Sequence, residues 1–301
     1  MKNRRMILSL LLSILIVLLA CACSDNTGGN KKASTAVTAT RYSKCEYDTK
    51  SGTAVISGNG PMKINADDFS KWDDNIRRII IKKGVTDVEA GVFHAGINGN
   101  TGEPTWCTQY VKEVKLPDTI KKIGNSAFWN CISLKIINIP DSVSSIEDGA
   151  FELCGSLKEF TFPDKIVKVN SRVLSECAAL ERVNIGDNTV TISFYAFAGC
   201  KKLKHIKFPK SLKKIDDMAF YACPEIEKVN LPEKLETIGH DAFGQCTFTT
   251  VTIPESVKKI GGHAFGYLNG KRIKGFTIKG YKGSAAEKYA KDNKFEFKAL
   301  G

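Results

Sequence analysis

Several familiar routes to chemistry are missing from this 301-residue chain. It has four histidines, His94, His205, His240 and His263, and no HExxH motif, no GxSxG elbow and no phosphate-binding glycine loop. CxxC spacing is absent although there are ten cysteines, which removes the usual signal for structural zinc. Leu116-Pro-Asp-Thr-Ile120 is similar to a cell-wall sorting motif, but its last residue is not glycine and no hydrophobic tail follows. These absences point away from hydrolases, metalloenzymes and nucleotide-dependent enzymes. No catalytic residue, metal or cofactor is expected.

What is present begins with a leader. MKNRRMILSLLLSILIVLLACAC carries Lys2, Arg4 and Arg5, then an apolar run from Met6 to Ala20, then cysteine. That order reads as an export signal over residues 1–20 rather than as a fold element. Leu18-Leu19-Ala20-Cys21 resembles a bacterial lipobox, in which the cysteine carries diacylglycerol after cleavage, although Leu19 is less usual there. Cys21 is the expected lipidation site and Cys23 the weaker one; a plain signal peptide or an uncleaved anchor is the alternative. Removing residues 1–20, which hold three basic residues and no acid, lowers the formal charge from +12 to +9. Residues 21–40 are small and polar without apolar periodicity, which predicts a flexible tether.

From there the chain repeats. Ile123, Ile146, Val169, Ile192, Ile215 and Ile238 follow one another at 23 residues, and Ile260 comes after 22. Aligning the copies gives a template, with Ala-Phe at +4 and +5, Cys at +8, Leu at +11, Ile or Val at +14 and +16, Pro at +17 and an apolar residue at +20. A fixed period of this size predicts a leucine-rich solenoid in which each coil supplies one short strand and stacks on its neighbours. Apolar residues alternate from Ile76/Ile79/Ile81 through Leu134/Ile137/Ile139 to Ile273/Phe276/Ile278, giving about nine strands of a curved parallel sheet. Proline ends many of them because it cannot donate to a ladder. Phe128, Phe151, Phe197, Phe220, Phe243 and Phe265 should stack as an aromatic spine.

The template closely resembles the BspA-like leucine-rich repeats of bacterial cell-surface proteins, over roughly residues 45–300. Residues 41–75, with YDTKSGTAVISGNGPM and Trp72, look like that family's amino-terminal β cap; residues 76–280 carry the repeats; residues 281–301 look like its closing piece, a short helix from Ser284 and a last strand. An open solenoid needs both, since an uncapped coil exposes apolar surface and unpaired edge groups. The resemblance implies adhesion to host or microbial surface proteins.

Cys131, Cys154, Cys177, Cys200, Cys223 and Cys246 share one template position. Export would favour disulfides, but side chains pointing in parallel into a core suit a column of small buried thiols better. Cys45 and Cys107 lie outside that column and are available to pair with each other. His263 falls beside Asp241 by template and reads as a surface pair, since no nucleophile accompanies it.

Binding positions follow from alternation, because residues between the apolar ones in a strand face outward. One outward column on the concave sheet runs Arg78, Glu113, Ile136, Glu159, Arg182, His205, Lys228, Thr250, and the other Ile80, Lys115, Asn138, Thr161, Asn184, Lys207, Asn230, Thr252. Two further candidates stand out. Val88 to Ile123 spans 35 residues, so an insertion of 12 bulges near 95–107, with Trp106 as an anchor. KKLKHIKFPKSLKK at 201–214 places seven lysines around one coil, a belt suited to anionic polymers such as teichoic acid or sulfated glycans. The expected function is therefore a non-enzymatic surface lipoprotein, membrane-held through its lipid and monomeric, presenting a rigid scaffold to a protein or anionic glycan and not to nucleic acid. The alternative is a structural envelope lipoprotein without a soluble ligand.

Overall fold

The computed structural model describes residues 43–64, 72, 74–94 and 107–301, all within the unit 41–301. The leader, the tether, Cys21 and Trp106 lie outside the described residues, as does the side chain of Cys107. The described chain is a parallel-strand solenoid with one α-helix at its end, as the period predicts.

The strands are short, and the three-residue ones of the main ladder show the alternation that the repeat requires. In Glu159–Thr161 and Arg182–Asn184 the middle residue is buried and its neighbours are exposed. Register follows the repeat, with Glu159 opposite Arg182 and Arg182 opposite His205. The period therefore places equivalent side chains in columns.

The main ladder is not one continuous sheet. It comprises a five-stranded part from Lys44–Asp48 to Ile136–Ile137, a three-stranded part over Glu159–Thr161, Arg182–Asn184 and His205–Lys207, and a closing part over Thr250–Thr252, Thr277–Gly280 and Glu296–Ala299. Between the last two parts, the segment around Val229 joins only through a bridge from Asn230 to Thr252. Ile206 and Phe208, expected in the core, are accordingly only half-buried.

A second parallel ladder, made by the residue pairs that open each copy, was not expected. Val85–Val88, Lys122–Ile123 and Ser145–Ile146 pair in register, and Lys168–Val169 begins a further run through Thr191–Ile192, Lys214–Ile215 and Thr237–Ile238 to Lys259–Ile260. Val88 lies opposite Ile123, so the 35 residues between them amount to a single coil carrying an insertion. A third set of bonds stitches the corners: Phe128 donates its N–H to the Ala150 carbonyl at 2.8 Å, and Phe220 does the same to Ala242.

Those corners turn on left-handed residues. Ser126, Arg172, Tyr195, Met218, Asp241 and His263, each just before the Ala/Val-Phe/Leu pair, have φ between 50° and 57°. A non-glycine residue there costs on the order of 1 kcal/mol. Burial of the next side chain offsets that cost, since enclosing a phenylalanine is worth about 1.5–3 kcal/mol.

The core is a file of rings. Phe93–Phe128–Phe151 and Phe197–Phe220–Phe243–Phe265 stack at centroid distances of 5.0–5.2 Å. Leu174 takes the ring position between the two runs, and Phe162 meets Phe197 edge-on at 6.2 Å. Trp72 extends the file toward the amino-terminal cap, 6.5 Å from Phe93.

Both ends are closed. Lys44–Asp48 pairs antiparallel with Thr53–Ser57, which in turn lies parallel to Arg78–Ile81. At the other end, helix Ala285–Asn293 buries Ala286, Tyr289 and Ala290 against the last coil. The Tyr289 hydroxyl accepts from the Phe265 N–H and donates to the Phe265 carbonyl, each at 3.0 Å. One phenol thus satisfies groups that a further coil would otherwise bond.

Candidate functional site

The two outward columns are where alternation puts them. Arg78, Ile136, Glu159, Arg182, His205, Lys228 and Thr250 are exposed, with Glu113 half-buried; Lys115, Asn138, Thr161, Asn184, Lys207, Asn230 and Thr252 are exposed, with Ile80 half-buried. Ile136 is 64% exposed, an apolar side chain held in water on a rigid strand.

These positions differ in how committed they are. Arg78 pairs with Glu113, Nε to Oε2 at 2.9 Å, and Arg182 pairs with Glu159. Asn138 gives its amide to the preceding coil, accepting from the Leu116 N–H and donating to the Leu116 carbonyl, both at 2.9 Å. Asn184 donates to the Thr161 hydroxyl at 3.2 Å. His205, Lys207 and Lys228 have no carboxylate partner among the described residues. Lys115, on the amino-terminal half, has none either, so the charge open to a visitor is basic and lies mainly on the carboxy-terminal half of the face.

The lysine belt adds to it. All seven of its lysines are exposed. Lys204 pairs with Glu225, Lys213 with Glu236 and Lys214 with Asp216, at 3.0–3.7 Å. Lys201, Lys202, Lys207 and Lys210 have no ion pair among the described residues.

Away from the strands, the cysteine column offers no reactive thiol. All six cysteines are buried and free. Each Sγ–H donates to a carbonyl of the preceding coil at 3.1–3.4 Å: Cys131 to Phe93, Cys154 to Phe128, Cys177 to Phe151, Cys200 to Leu174, Cys223 to Phe197 and Cys246 to Phe220. Burial raises the Cys131 thiol to about 12 and raises Cys154, Cys177, Cys200 and Cys246 as well, so the nucleophilic thiolate is suppressed.

The corner column holds features that the repeat did not reveal. Burial lifts the Glu152 carboxyl to about 7 against the pull of Arg172, with Glu176 adding to the rise and a hydrogen bond with Trp129 opposing it. The structure puts a donor atom of Asp241 within 4.8 Å of one of His263, as the template has it, and His263 packs its ring on Tyr267 and His240. Asp241 also has a nearer partner: its Oδ2 lies 2.7 Å from Nδ1 of His240, the residue just before it. Template counting missed this because it aligns positions between coils and is blind to a side chain that bends along its own coil.

Comparison with known proteins agrees with this architecture. A family model described as a BspA type leucine-rich repeat region, in six copies, matches residues 102–226 and 146–272, together more than half of the chain. A leucine-rich repeat protein from Bacteroides ovatus is similar at 24% identity and a TM-score of 0.52, covering 86% of this chain; this chain spans 66% of its length, slightly under two thirds. A leucine-rich repeat protein from Eubacterium ventriosum is similar at 16% identity and a TM-score of 0.50, covering 80% of this chain and 70% of its own. No curated protein matches the sequence.

Proposed function

The chain belongs to the BspA type leucine-rich repeat family, and from that premise we propose that it is a non-enzymatic binding protein, exported, held at the cell surface by lipid on Cys21, and presenting its strand face to an anionic partner. One observation carries the choice of partner: His205 and Lys207 on one strand and Lys228 on the segment of the next coil stand exposed with no carboxylate paired to them among the described residues. The ammonium groups of Lys207 and Lys228 on successive coils, with the His205 imidazole beside them as a donor, suit a polymer with regularly spaced sulfates or carboxylates, so a sulfated or uronate-containing glycan fits better than a neutral one. The unpaired lysines of the belt widen the positive field around the same coil, which raises the rate of encounter. A rigid frame also helps, because little conformational freedom is lost on binding.

The test uses the full-length chain in detergent on immobilised heparin. Saturable binding should weaken at least tenfold between 50 and 500 mM salt, as contacts between exposed charges do. The triple variant His205→Ala, Lys207→Ala, Lys228→Ala should abolish it, while Arg78→Ala, on the amino-terminal half, should leave it nearly unchanged. Equal loss in both variants, or binding indifferent to salt, would overturn the reading. No helix among the described residues is long and apolar enough to cross a membrane, so the surface attachment proposed here rests on the leader.

A further inference from the structure

We propose that His240, Asp241 and His263 form a site for a divalent transition-metal ion of the zinc type, at the corner shared by the coils that open at Ile238 and Ile260. Each residue offers one donor atom, an imidazole nitrogen or a carboxylate oxygen, and the three atoms all lie within 4.8 Å of one another. The coils bring them there in register, since Thr237–Ile238 pairs directly with Lys259–Ile260 and the corners follow each strand at once.

Two local features prepare the arrangement. In this register Gly262 follows Lys259–Ile260 at the place that His240 occupies in the coil before. A Cβ on Gly262 would sit 3.3 Å from Cδ2 and 3.4 Å from Nε2 of His240, so glycine leaves room for that imidazole to lie toward the coil that carries His263. Asp241 Oδ2 lies 2.7 Å from Nδ1 of His240, so these two donors already converge, and an ion bound between them takes the place of the proton they share. His263 packs between His240 and Tyr267, at ring distances of 5.6 and 4.3 Å, and no hydrogen bond among the described residues occupies its nitrogens.

The chemistry of the set selects the ion. Two imidazoles and a carboxylate suit zinc and its borderline neighbours, whereas calcium and magnesium want oxygen ligands throughout. His240 and His263 are exposed and Asp241 is half-buried, so water completes the coordination and the ion enters from solvent. This departs from the expectation of no metal. That expectation weighed cysteine spacing and linear motifs such as HExxH, while these ligands come from adjacent corners of the fold.

The test is zinc titration of the full-length, chelator-treated chain in detergent, followed by calorimetry. The wild type should bind one more equivalent of Zn²⁺ than His263→Ala, and His240→Ala should weaken that equivalent at least tenfold. All ten cysteines remain in every variant, so zinc held by thiols cancels in the difference. His205→Ala, a histidine on the strand face, should titrate as the wild type does. Asp241→Asn suits a corner where φ is 50°, because asparagine tolerates the left-handed region; it should weaken binding without altering thermal unfolding in chelator. Equal stoichiometry and affinity in the wild type, His240→Ala and His263→Ala would overturn the assignment.

Discussion

Glu152 sits at a coil corner among Trp129, Arg172 and Glu176, and its burial makes a proton part of the folded state. Its carboxyl titrates at about 7 when folded, against an ordinary value of 4.5. Between those two values the folded chain holds a proton that the unfolded chain has lost. Stability therefore falls as pH rises through the window, by up to about 1.4 kcal/mol per pH unit, and levels off above 7. Glu152→Gln keeps the shape and removes the titration. Denaturant melts of wild type and variant should agree near pH 4, and by pH 8 the variant should be more stable by roughly 1–3 kcal/mol. Parallel curves across that range would show that the carboxyl stays solvated. The column cysteines contribute differently: they act as donors that complete the carbonyls of the preceding coil, and burial raises the thiols of Cys131, Cys154, Cys177, Cys200 and Cys246.

The strands show what periodicity discloses and what it hides. Columns such as Glu159, Arg182 and His205 were legible because a strict period with alternating burial fixes both register and face. The ladder at Lys122–Ile123 and its equivalents was hidden, since two-residue strands carry no alternation to detect. The break after Ile136–Ile137 was hidden too, and so was a second role for Asn138. Its side chain takes both backbone groups of Leu116, so an outward residue counted as a binding candidate also serves as a clasp between coils. Asn138→Ala should leave an N–H and a carbonyl short of partners and cost about 1–3 kcal/mol, read as a lower denaturant midpoint and faster amide exchange at Leu116. Asn138→Asp, which can still accept from the N–H, should fall between the two. If alanine changes neither midpoint nor exchange, water already replaces the clasp.

Because equal coils contact only their neighbours, the solenoid should survive the removal of a whole one. Thr191 lies opposite Lys214 and Ile192 opposite Ile215, so excising residues 192–214 joins Thr191 to Ile215 with every column kept. Phe220 would then stack beside Leu174, and Cys223 would follow Cys177 in the thiol file. The excised chain should unfold in one transition at a lower denaturant midpoint, since stability in such arrays is a sum of coil and interface contributions. It should also lose heparin binding, because the cut removes His205, Lys207 and the whole lysine belt. Excising residues 192–209 instead removes less sequence but shifts all later columns out of register, setting polar residues against the ring file. That chain should fail to fold cooperatively. The comparison separates the two ideas in play: a folded 192–214 excision that still binds heparin would retain the solenoid and discard the proposed face, whereas equal collapse of both excisions would mean that the coils are not interchangeable units.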